Sequence, residues 1–333
     1  MDAPGAPGDA RQGETGDARM RSSAAQREHQ RCMDSDLLLL ERLSDRDLAL
    51  LAAAAGDAGS DADARRTWQA ARLRDEPGRV DGLLARPEVF DALFGPHRED
   101  PLLVVGPFVA FAVLLAHAPA VLAGRAFVQE RIGSRHSVPL FEVEPLREFV
   151  ADPLRRLFLA DLLASYTHVA SGALWVKSRR GWRHQRFSEL DPAQFAGLIL
   201  SVPPDQRLVL YRRLGDLSLF LTGVFPDHVE AHPLPPVAVE RLIRAVGEDL
   251  PAAGRRHEPV SQVADLGALR LLEWLGERSY RLAWEGTAYR DFGSAGVLGY
   301  TAEHFRHARL ILNFLTDGYL FAHRERWFTP GSN

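Results

Sequence analysis

The chain has 333 residues, 46% hydrophobic and 25% charged, with a net charge of −4. These values are ordinary for a soluble globular protein and supply no global field toward nucleic acid or an anionic membrane, so any such contact has to use a local patch. One cysteine, Cys32, excludes an intrachain disulfide and a thiolate metal cluster. Lys177 is the single lysine among 40 basic residues, which together with the abundant Ala reads as the codon bias of a GC-rich bacterial genome more than selection for bidentate binding.

Residues 1–33 are rich in Gly, Ala, Asp, Arg and Gln without an apolar period, and are expected to form a disordered leader. They hold no apolar run of the secretory type, so a cytoplasmic location is expected. Order is expected from Asp34. Ser44 and Asp47 before an apolar run have the spacing of a capped helix start. Helices over 64–74, 80–84 and 88–94, after a loop at 56–62, complete a small helical N-terminal unit over 34–96. The remainder, 97–330, reads as a helical core domain.

Leu102–Ala123 carries no formal charge and has the length of a membrane span. Pro107, His117 and Pro119 interrupt it, and no Trp or Tyr belt flanks it. A buried central helix is the expectation, with membrane association through 102–123 as an alternative. Residues 134–139 read as a connection. Asp152-Pro153 and Asp191-Pro192 are helix starts of the N-cap and N1-proline kind. Pro203–Asp205 opens the next helix, Pro233–Pro236 breaks the chain again, and 263–284 and 301–320 read as long amphipathic helices. Residues 173–187, ALWVKSRRGWRHQRF, read as a β-hairpin turning at Arg180-Gly181. Strands do not alternate with helices, and no Gly-x-Gly-x-x-Gly, Walker A or Gly-x-Ser-x-Gly sequence is present. The predicted fold class is all-α: a multi-helix bundle with a buried central apolar helix and one small β-hairpin.

Four constellations could carry chemistry. The stretch Tyr211–Phe225, YRRLGDLSLFLTGVF, is apolar all round after Leu214 yet holds Asp216. A helix without a polar face is buried, and a buried carboxylate needs a partner. Arg212 and Arg213 lie within one turn, so an ion pair is expected. Gly215, Ser218 and Thr222 make a strip of small residues for close helix approach. As chemistry, Asp216 is a candidate general base and Arg212 a clamp for an anion; structurally, the pair is a strut. If neighbouring helices pack here, His168, Glu277 and Tyr280 join Asp216 in one polar pocket.

Second, Glu303, His304 and His307 are a candidate metal set, although Glu-His-x-x-His is neither the zincin nor the di-iron motif. Their plain reading is an exposed first helical turn. Third, Asp227–His232 offers His-x-Glu-x-His on an expected extended loop, a weak metal signal. Fourth, the hairpin interleaves Lys177, Arg179, Arg180, Arg183 and Arg186 with Trp175 and Trp182. Basic residues among stacking aromatics suit single-stranded nucleic acid or an acidic protein, whereas the plain reading is a solvated ribbon anchored by Trp.

No segment resembles a characterised family, and no cofactor or partner is named by the sequence. The leading expectation is a non-catalytic bacterial binding protein using the basic hairpin or an internal pocket. The alternative is an enzyme or metal-binding protein with a polar pocket around Asp216.

Overall fold

The computed structural model describes residues 34–44, 46–47, 51, 79–96, 98, 100–133, 136–167, 171–178, 181–188, 190–247, 267–286 and 294–328, with the backbone alone at 132–133, 171–178, 181–188 and 294–295. The proposed leader at 1–33 and the expected loop and helix at 56–74 lie outside these residues. Helices dominate. The first, α1, covers 34–42. It is followed by α2 (Arg79–Leu84), α3 (Pro87–Phe94), α4 (Pro101–Val104) and α5 (Pro107–Ala123). A hairpin of β1 (Val128–Gly133) and β2 (His136–Leu140) leads to α6 (Glu144–Ala151) and α7 (Pro153–Ser165). A second hairpin, β3 (Ser171–Ser178) and β4 (Gly181–Ser188), precedes α8 (Pro192–Ser201), α9 (Arg207–Val224), α10 (Pro226–Ala231) and α11 (Pro236–Gly247). The chain then forms α12 (Ala268–Glu285), α13 (Ser294–Glu303), α14 (Phe305–Leu315), a π turn at Thr316–Leu320, and α15 (Arg324–Trp327).

The fold is all-α with a small hairpin over 171–188, as expected, and local chemistry explains several helix starts. Asp152 accepts from Leu154 N–H and Asp191 from Ala193 N–H, each at 2.9 Å, with a proline at N1. Ser44 and Asp47 form the reciprocal capping box: Asp47 N–H donates to Ser44 Oγ at 3.2 Å and Ser44 N–H to the Asp47 carboxylate at 3.0 Å.

The central apolar segment divides at Gly106, and α5 keeps 17 residues with Pro119 inside it. Its Phe111, Val113, Leu114 and Leu115 are fully buried against protein. Among the described residues no helix is long and apolar enough to cross a membrane. The apolar core runs continuously from Leu39 through α5, α9 and α14 to Phe328.

Three expectations are corrected. Residues 128–140 form a second antiparallel hairpin, with Val128 opposite Leu140 and Gln129 opposite Pro139, where one connection was expected. Proline is tolerated because the ribbon has only two strands. Asp227–Ala231 lie in the short helix α10, opened by Pro226 at its first position, with His232 as its C-cap, instead of an extended loop. The helix expected over 301–320 breaks at His304, whose backbone leaves the helical region (φ −119°, ψ 33°). There the His304 ring stacks on Tyr300 at 4.0 Å and donates from Nδ1 to the Tyr300 carbonyl at 3.0 Å.

Candidate functional site: a cleft backed by a buried Asp–Tyr pair

Helix α9 is buried on every side from Leu214 to Val224, so it needs neighbours on all faces. Helix α12 supplies one through a close approach at two glycines. A Cβ on Gly215 would come within 2.4 Å of the Tyr280 ring, and one on Gly276 within 2.2 Å of Phe305 and 3.0 Å of Ser218. The small-residue strip therefore seats the Tyr280 ring directly on α9. Held there, Tyr280 donates its hydroxyl to Asp216 Oδ1 at 2.8 Å.

The expected ion pair is absent: among the described residues, the direct partner of Asp216 is Tyr280, and Arg212 and Arg213 reach it by charge alone. Arg212 is exposed. Arg213 donates to Ser165 Oγ at 2.9 Å and lies over the Tyr166 ring at 4.3 Å. Long arginines keep their heads hydrated or stacked while their stems pack, and here that wins over entering the core. Burial consequently pushes the Asp216 carboxyl above its ordinary value, against the pull of Arg212, Tyr280 and Arg213. Burial, and then the neighbouring Asp216, push the Tyr280 hydroxyl well above its own.

A cleft of about 170 Å³ lies beside this pair, joined to it through Phe158 and Arg212. Helix α1 contributes Leu38 and Arg42, α5 Phe108, and α7 Leu154, Leu157, Phe158 and Asp161; Arg212 of α9 and Val297 of α13 complete the lining. Phe158 is the partition, because its ring lines the cleft and also meets Tyr280 edge-on at 5.8 Å. Arg42 pairs with Asp161 at 2.7 Å and sits over the Phe108 ring at 5.5 Å. Arg212 has no hydrogen-bond or ion-pair partner among the described residues. With Arg42 and Asp161 cancelling, the described lining residues carry one positive charge without an ion-pair partner.

The other predicted residues are placed as follows. Glu277 is half-buried on α12, one turn before Tyr280. His168, Arg179 and Arg180 lie outside the described residues. The hairpin backbone holds Trp175 opposite His184, Lys177 opposite Trp182, Val176 opposite Arg183 and Ala173 opposite Arg186. The break at His304 removes the shared helical face expected of Glu303 and His307, and among the described residues no three His, Cys, Asp or Glu side chains converge to hold a metal. Burial and the nearby His304 and Arg306 hold the His307 imidazole below its ordinary value. In α10, His228 and His232 stack at 4.3 Å, and Glu230 accepts from Leu269 N–H at 3.1 Å, capping α12.

The sequence reading missed a second buried polar group. Arg309 is 2% exposed, and donates to Glu130 at 2.6 Å, to Glu273 at 3.4 Å and to Asn313 at 3.3 Å. Arg306 also bonds Glu130, and Asn313 donates to the carbonyls of Thr222 and Gly223 at 2.9 and 2.7 Å, closing the end of α9. The signal was present: Arg309 falls within the apolar stripe of Phe305, Ala308 and Leu312. Comparison with family models, curated proteins and solved structures returns no match, so the cleft is read from its own chemistry.

Proposed function

We propose that the protein is a non-catalytic binder of a small molecule, held in the cleft between α1, α5, α7, α9 and α13. The observation that carries this reading is the composition of the cleft. Six apolar side chains line the cleft beside one exposed guanidinium, Arg212, that has no direct partner among the described residues. Concave, mostly apolar sites with few polar groups are the usual form of small-molecule sites. Asp216 and Tyr280 lie behind Phe158, and a catalytic acid or base must reach its substrate directly or through one water. In this reading they support the wall. Low cysteine content and the arginine-rich, alanine-rich composition favour a cytoplasmic bacterial protein.

The test is a thermal-shift and NMR screen of small molecules on the full chain, repeated on Leu157→Trp, which fills the cleft. Compounds that bind the parent and are lost on Leu157→Trp, with circular dichroism unchanged, support the reading. Compounds that bind both proteins equally place the site elsewhere.

A further inference from the structure

We infer that the cleft selects small monoanions, specifically a carboxylate on an aromatic or branched aliphatic body, with the carboxylate held by Arg212. The inference rests on the binding reading above and adds the chemical class of the ligand. Three observations carry it. The volume, about 170 Å³, is close to the roughly 150 Å³ of an apolar cavity that holds benzene, which limits the body to about one ring. Phe108 and Phe158 in the lining offer ring faces and edges that suit a flat apolar body.

The third observation is the charge balance. Arg42 and Asp161 satisfy each other at 2.7 Å, so the carboxylate of Asp161 is not free to attract a cation. The charge left over is that of Arg212, whose planar fork of donors matches a carboxylate with two parallel hydrogen bonds. A dianion such as a phosphate monoester would place a second negative charge near Asp161, with no further unpaired cation among the described lining residues to balance it.

The experiment titrates benzoate, benzyl alcohol and benzylamine into the full chain, into Arg212→Met, into Arg212→Lys and into Leu157→Trp, by calorimetry at low salt. Benzoate is expected to bind the parent on the order of fivefold more tightly than benzyl alcohol, the scale of one partly exposed charge pair, with benzylamine weakest. Arg212→Met is expected to bring benzoate down to the affinity of benzyl alcohol measured on that same variant, and Arg212→Lys to keep part of the preference, as a point charge without the fork. Equal affinity of the three probes for the parent, lost together on Leu157→Trp, overturns the anion selectivity and leaves the cleft reading standing. Failure of every probe to bind, or binding indifferent to Leu157→Trp, overturns the cleft reading itself.

Discussion

Tyr280 donates its hydroxyl to Asp216 at 2.8 Å, and the space for its ring is the missing side chain of Gly215, next to Asp216 in the chain. The pair is thus built by the helix crossing itself, and the proton on Asp216 has a consequence for stability. Its folded pKa is raised above the ordinary 3.8, chiefly by burial, so the native state binds this proton more tightly than the unfolded chain. The stabilisation is complete below the unfolded value and is lost as pH rises through the raised folded value. Asp216→Asn keeps an oxygen for Tyr280 and removes the titration. Its melting temperature is expected to gain on the parent as pH rises, and parallel curves across the series would show that Asp216 does not titrate. Tyr280→Phe, which strips the carboxyl of its donor, is expected to cost about 1–3 kcal/mol.

Arg309 bridges two buried carboxylates, Glu130 and Glu273, which Arg306 and Arg270 also pair from the surface side. Burial pushes Glu130 upward, but hydrogen bonds and charge from Arg306 and Arg309 outweigh it and hold the pKa below its ordinary value. Removing one member of such a cluster strands charge in the core, so Arg309→Met is expected to cost about 3–5 kcal/mol in urea unfolding. The same substitution combined with Glu130→Gln and Glu273→Gln should recover much of the loss. Additive losses in that triple variant would contradict a charge-based account.

Gly276→Ala drives a methyl group into the Phe305 ring and against Ser218. Overpacking of this kind costs about 1–3 kcal/mol. Adding Phe305→Leu to Gly276→Ala should return part of that loss, which equilibrium unfolding of the single and double variants will measure.

His117 stacks on Phe90 at 3.8 Å, and among the described residues its buried Nδ1 has no hydrogen-bond partner. Burial lowers its pKa from 6.5, against the opposing charge of Asp91. The folded state therefore favours neutral imidazole, and its stabilisation, full above the unfolded value, is lost as pH falls through the depressed folded value. His117→Phe keeps the stacked ring and removes the proton. Between about pH 7 and about pH 5 its melting temperature should fall less than the parent's; an identical fall would assign the acid sensitivity to another group.

The features legible in the sequence were those set by neighbours in the chain. Asp152-Pro153, Asp191-Pro192 and the Ser44–Asp47 box need only local backbone, and each forms as its spacing predicts. The burial of Asp216 also followed from one helix alone, since α9 offers no polar face. Tyr280 was expected beside it only on the condition that the helices pack here, because it is 64 positions away and wins over the two nearer arginines only once Gly215 admits its ring. The cleft was equally out of reach: Arg42, Asp161 and Arg212 meet through the packing of three helices distant in sequence. Arg309 differs, since its place on the apolar stripe of α14 was visible in the 3.6-residue period and marked a buried cation that needed acidic partners.

The arginine bias, first read as a trace of codon usage, has a physical use in this fold. Arg147 donates to the carbonyls of Leu122, Ala123 and Arg125 after α5, Arg156 to those of Val150 and Ala151 at the end of α6, and Arg324 to Val224 at the end of α9. Each of these three ends is covered by a guanidinium from another element, which adds to the local cap bonds such as Gly124 N–H to Leu122 and Phe225 N–H to Leu221. None of these ends can fray without releasing a side chain anchored in a different helix. Amide exchange at the last turns of α5, α6 and α9 should then follow the slow opening of the whole bundle rather than the fast local breathing usual at helix ends.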